Sequence, residues 1–145
     1  MPTYEEDIMA WAQEQAHLLR AGQFSALDIE HLAEEIEDVG RSEQRELASR
    51  MAVLLAHLLK WQYQPERRGA SGEVTIGGQR ERIIRRLRQT PSLKATLNDP
   101  DGWADAGFDA RMEAAKETGI EIQVFPPVCP WTVDPVLGEG WRPAA

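Results

Sequence analysis

Apolar positions along the first two thirds of the chain recur at steps of three and four, the signature of helices with one buried face. Tyr4, Ile8, Trp11, Gln15, Leu18 and Leu19 form such a face, and Gly22 supplies a natural stop. Thr3 and Glu6 have the spacing of a capping box and predict the start of this helix. A second stripe, Ile29, Leu32, Ala33, Ile36 and Val39, follows Asp28 and predicts a short helix closed at Gly40. A third helix is predicted from a Ser42 cap to about Tyr63, with the seam Leu47, Met51, Leu54, Leu58 and Trp61. Val53, Leu55 and Leu59 widen that surface, so this helix is expected at the centre of the fold, and Pro65 ends it.

The remaining pattern is less regular. Gly69, Gly72, Gly77 and Gly78 make "RRGASGEVTIGG" a breaker-rich connection, within which Val74-Thr75-Ile76 has the look of a strand without a partner. Ile83, Ile84 and Leu87 then form a narrow stripe among Arg80, Arg82, Arg85, Arg86 and Arg88, a basic helix ended by Thr90-Pro91. "PSLKATL" predicts a short helix, and "WADAGFDARMEAAKETG" a longer one carrying Trp103, Phe108, Met112 and Ala115. Residues 120–145 hold five of the nine prolines yet are strongly apolar, so this tail is expected to be largely non-helical and packed down in extended form. The expectation is one all-α domain over 1–145, a bundle of four or five helices with a proline-rich tail laid on it.

Composition narrows the function classes. With 145 residues, 42% hydrophobic and 28% charged, the chain reads as globular, and no apolar run spans a bilayer. Its acidic start is unlike a signal or transit peptide, and a single cysteine, Cys129, suits a reducing compartment. A cytoplasmic location and no membrane partner are expected. The net charge of −8 is unevenly spread. Residues 1–59 carry −8 and residues 95–145 carry −6, whereas residues 60–94 carry +6.

The strings "YEEDIMAWAQEQAHLLRAGQF", "LDIEHLAEEIEDVGRSEQRELASRMAVLLAHLLKWQYQPERR", "SLKATL", "AAKETGI" and "FPPVCPW" run in the order of a bacterial family. In these segments the chain resembles domain of unknown function 29, common in cyanobacteria and other bacteria. The resemblance covers nearly the whole chain and implies an α-helical bundle. It brings no catalytic residues, since the family has no established activity. "GASGEVTIGGQRERI" departs from the family, which usually has a tryptophan and a more helical start there, leaving the beginning of the basic helix open.

Four chemistries compete for the remaining polar residues. His31 and Glu35 share a helix face, and with His57 they are the candidate metal ligands. A single such motif more often marks a solvated acidic face, so no metal or other cofactor is expected. His57 with Glu34 or Glu35 is the candidate catalytic set, should the second and third helices pack antiparallel across a tight turn at Gly40-Arg41. Cys129-Pro130 resembles the dipeptide of some haem sites, but a lone dipeptide carries no assignment. Arg80, Arg82, Arg85, Arg86 and Arg88, with Trp61 and Tyr63 beside them, are the candidate binding residues. They suit ion pairs within the chain, a protein partner or self-association, or the phosphates of nucleic acid. The charge of −8 opposes the last of these. The leading expectation is a non-catalytic protein-interaction or self-association module.

Overall fold

The computed structural model describes residues 2–144 and is all-α among them. Four helices exceed a dozen residues: α1 (Ile8–Arg20), α2 (Ile29–Tyr63), α3 (Ala70–Gln89) and, after the single-turn α4 (Lys94–Leu97), α5 (Pro100–Thr118). A second single turn, α6 (Val133–Val136), lies in the tail. Two compact units result, Met1–Ser42 and Glu43–Ala145, and α2 supplies residues to both. No helix among the described residues is long and apolar enough to cross a membrane.

The first unit is a hairpin of α1 and the first turns of α2. Asp7, rather than Thr3, caps α1 by accepting a hydrogen bond from the Ala10 amide, while Thr3 hydrogen-bonds the Glu6 carboxylate within a preceding turn. Gly22 ends the helix with φ at +71°, a conformation that disfavours side chains bearing a Cβ.

The predicted break at Gly40 is absent: α2 is one helix of 35 residues. Arg41 reaches back to Glu37 and Asp38 across the former boundary, at 2.8 and 2.6 Å, and a lone glycine costs a helix only about 1 kcal/mol. The breaker-rich start of the basic helix is overridden in the same way, because α3 begins at Ala70. There Ile76 is buried, and Gly72 packs beside the Trp61 ring, where an added Cβ would stand in ordinary contact at 3.4 Å.

The core of the second unit is built on α2. Leu47, Met51, Leu54, Leu55, Leu58 and Leu59 pack with Ile76, Ile83 and Leu87 of α3 and with Leu93 and Leu97. The face that α5 contributes is alanine, Ala106, Ala110 and Ala114, while Phe108 and Met112, expected in its stripe, are exposed. Small residues at that spacing admit a close neighbour. At Gly107 a Cβ would stand 2.9 Å from the Cβ of Cys129 in the tail. Phe125 and Val136 complete the core from the tail, and Tyr63 meets Phe125 edge-on at 5.0 Å between ring centroids.

The two helical glycines therefore predict opposite responses. Gly40→Ala, with nothing within 4 Å of its Cβ, is expected to stabilise the chain by about 0.5–1 kcal/mol. Gly107→Ala is expected to destabilise it by about 1–3 kcal/mol, because the tail must shift. Urea denaturation of both variants followed by circular dichroism checks the pair.

Candidate functional site

In the first unit the polar residues form a lock between the two helices. The Asp28 carboxylate accepts a hydrogen bond from the Trp11 indole at 2.9 Å and lies 2.7 Å from His31 Nδ1. Its backbone N–H donates to the buried side chain of Gln15 at 2.8 Å. His31 Nε2 faces Glu5 at 3.2 Å, and its ring stacks on Tyr4 at 4.1 Å. With a carboxylate at each nitrogen the imidazolium is favoured, since both ring nitrogens then donate. The hydrogen bond with Asp28 raises the His31 pKa, and the same bond holds the Asp28 carboxyl below its usual value. Tyr4 donates to Glu35 at 2.5 Å, which pushes its hydroxyl up to about 12.

This lock accounts for His31 and Glu35, and it corrects the pairing expected for His57. Because α2 is continuous, about six turns of one helix lie between His57 and Glu34 or Glu35, so no antiparallel packing brings them together. No group of three or more metal-ligating side chains is placed to hold an ion among the described residues.

His57 is half-buried in the second unit and lines two clefts. One, of about 270 Å³, has Asp109, Glu113 and Glu117 of α5 along it. These carboxylates recur every fourth residue, a spacing that could have shown in the sequence that they share a helix face. The other, of about 450 Å³, is lined by Lys60, Trp61, Gln64, Arg67, Arg68, Ser71 and Gly72. Lys60 pairs with Glu117, and this contact lowers the Glu117 pKa. Burial, aided by the Lys60 charge, lowers the pKa of His57 and favours the neutral imidazole at pH 7. A neutral imidazole at a cleft wall can take a proton from a bound molecule, and Lys60 can balance a negative charge.

The arginines of α3 divide by role. Arg80 is 3% exposed and donates to the carbonyls of Val136 and Trp141, each at 2.8 Å, so it fastens the tail rather than facing a ligand. Arg86 pairs with Glu43 and Glu46 at 2.7 and 3.0 Å. Arg82, Arg85 and Arg88 are exposed, and their side chains make no hydrogen bond or ion pair among the described residues. Arg68 donates to the Trp61 and Gln62 carbonyls at the end of α2, and both Arg68 and Arg142 lie over the Trp61 ring. Burial raises the pKa of the Cys129 thiol, which lies 3.5 Å from the Trp131 carbonyl, the geometry of a packed thiol.

A family model described as Domain of unknown function DUF29 matches residues 3–142, nearly the whole chain. The chain belongs to that family. No curated protein and no solved structure matches it. In this DUF29 chain the polar features separate into the Asp28–His31 lock of the first unit and the His57–Lys60 clefts of the second.

Proposed function

We propose that this chain is a non-catalytic protein-interaction module of the bacterial cytoplasm, docking a basic amphipathic helix of another protein on its amino-terminal hairpin. The observation that carries the reading is the open apolar face of that hairpin. Ile29, Ile36 and Val39 are 66%, 71% and 65% exposed, although they form the helical stripe expected to be buried. Ile8, Met9 and Leu19 of α1 and Phe24 of the connection are exposed as well. Isolated surface leucines and valines are ordinary, but a stripe at helical spacing on a short hairpin marks a face that a further helix covers.

Charge selects the occupant. Residues 1–42 carry ten carboxylates against two arginines, so two copies of this hairpin repel one another, whereas a lysine- or arginine-rich helix is attracted. Apolar contacts then supply affinity and the acidic border supplies orientation and speed of encounter.

Fluorescence anisotropy with a labelled leucine–lysine amphipathic peptide of about eighteen residues tests the reading. The intact chain is expected to bind with a Kd on the order of 10 µM, and Ile36→Glu to weaken binding at least ~10-fold. Equal affinity in the variant would remove the hairpin from the proposal. A salt-resistant dimer of the free chain in light scattering would replace the foreign helix with a second copy.

A further inference from the structure

The cleft of about 450 Å³ between the end of α2 and the start of α3 differs in chemistry from the rest of this acidic chain. Three cations line it, Lys60, Arg67 and Arg68, together with His57, Gln64 and Ser71, and among the described residues no carboxylate lines it. In a chain of net charge −8, such a lining concentrates positive potential in one concave place. The other arginine-rich cleft, of about 210 Å³ at Arg50, Arg82, Arg85 and Arg86, is unlike it: Glu46 pairs with both Arg50 and Arg86 there.

Each cation of the larger cleft is positioned differently. Arg68 spends its hydrogen bonds on the neutral Trp61 and Gln62 carbonyls, which leave its charge uncompensated. The Arg67 side chain is exposed and makes no hydrogen bond or ion pair among the described residues. Lys60 is tied to Glu117 and can swing between that carboxylate and a ligand. The first turn of α3 adds to the cation set. Gly69 caps it without a side-chain hydrogen bond, and Ser71 and Gly72 of that turn line the cleft. Their amides belong to the uncapped positive end of a 20-residue helix.

We propose that this cleft binds a phosphorylated small molecule, with Arg67, Arg68 and Lys60 on the phosphate oxygens and the Ser71 hydroxyl and first amides of α3 completing the contacts. The volume exceeds that of one phosphate group, so an organic part or a second phosphate is accommodated. Trp61 is not offered as a platform for a nucleobase, because the Arg68 and Arg142 guanidinium groups, at 5.6 and 5.5 Å from the ring centroid, already occupy its π surface. His57 stands at the wall with its imidazole available as a hydrogen-bond donor to the same anion. This site lies in the second unit and stands independently of the docking face on the hairpin.

Titration of the ¹⁵N-labelled chain with sodium pyrophosphate, against sodium chloride at matched ionic strength, tests the assignment. Saturable shifts are expected at the Ser71 and Gly72 amides and the His57 ring, with a Kd of about 1 mM or tighter. Arg67→Ala, a surface change that leaves the fold intact, is expected to weaken binding roughly 10-fold, and Arg82→Ala to leave it unchanged. Three results would overturn the assignment: no saturable shift, equal shifts along the exposed α3 arginines, or an unaltered affinity in Arg67→Ala. A short oligouridylate that binds more tightly than pyrophosphate, and depends on Arg82 and Arg85, would also overturn it in favour of RNA.

Discussion

Replacing Arg80 by methionine is expected to destabilise the second unit by about 3 kcal/mol and to release the tail. The guanidinium is buried and hydrogen-bonds two carbonyls of the segment after Pro135, so its removal takes the side-chain donor from the Val136 oxygen and leaves the Trp141 oxygen with Arg142 alone. Methionine preserves much of the stem's packing, which isolates the lost hydrogen bonds from a lost volume. Arg80→Lys should recover little of the loss, because one ammonium cannot reproduce the fork that spans both carbonyls. Urea denaturation gives the stability change. Limited proteolysis gives the second readout, with cleavage between Val133 and Trp141 expected to accelerate in both variants. An unchanged denaturation midpoint in Arg80→Met would mean that the tail is held by its apolar contacts alone.

The second large effect is the pH dependence of the amino-terminal hairpin. Asp28 has a lowered pKa in the fold, so its stabilisation is present above the ordinary carboxyl value of about 4 and is lost as pH falls through the lowered one. His31 has a raised pKa, so its contribution is full below about 6.5 and fades as pH rises through the raised value. The hairpin should be tightest between about pH 4.5 and 6.5 and should loosen as pH rises further, through the raised His31 pKa. Other charges act on the same pair: Glu5 and Glu34 favour the imidazolium, and Trp11 hydrogen-bonds the carboxylate. Amide exchange of residues 8–20, corrected for intrinsic rates, measures the effect. Asp28→Asn should flatten the dependence and lower protection across α1 at pH 6. The same protection at pH 6 and 8.5 in the unmodified chain would show that the lock does not depend on the His31 charge.

These two groups illustrate what the sequence discloses. Helix punctuation was legible where chemistry forces it: Asp28 precedes α2, Pro65 follows its end, and Gly119 closes α5 in the left-handed conformation with φ at +73°. The seam from Leu47 to Leu58 was equally legible, because its leucines are buried in the order their spacing predicts. Gly40 misled, since a glycine signals an end only where neighbouring residues also favour one. Here Glu37 and Asp38 pair with Arg41 across it, and the helix continues. The start of α3 was obscured by four glycines whose low propensity is outweighed by Ile76 in the core and by the fit of Gly72 against Trp61.

Site residues were harder to read for a different reason. Arg80 is indistinguishable from Arg82 in composition, and its role comes from facing two tail carbonyls more than fifty residues away. The buried face of α5 is alanine, which carries little hydrophobic signal, so the more apolar Phe108 and Met112 pointed to the wrong side. Trp11, Asp28 and His31 form their lock only once α1 and α2 are paired, and no spacing rule within one helix reports it.

The docking face of the hairpin is tested most directly by isoleucine methyl resonances during titration with the leucine–lysine peptide. The chain has Ile8, Ile29 and Ile36 exposed on the hairpin and Ile76 and Ile83 buried in the second unit, so a single labelling scheme reports both. Saturable shifts of the Ile8, Ile29 and Ile36 methyls, with Ile76 and Ile83 unmoved, are the predicted result. Shifts confined to the second unit, or none at peptide concentrations about tenfold above the expected Kd, would contradict it.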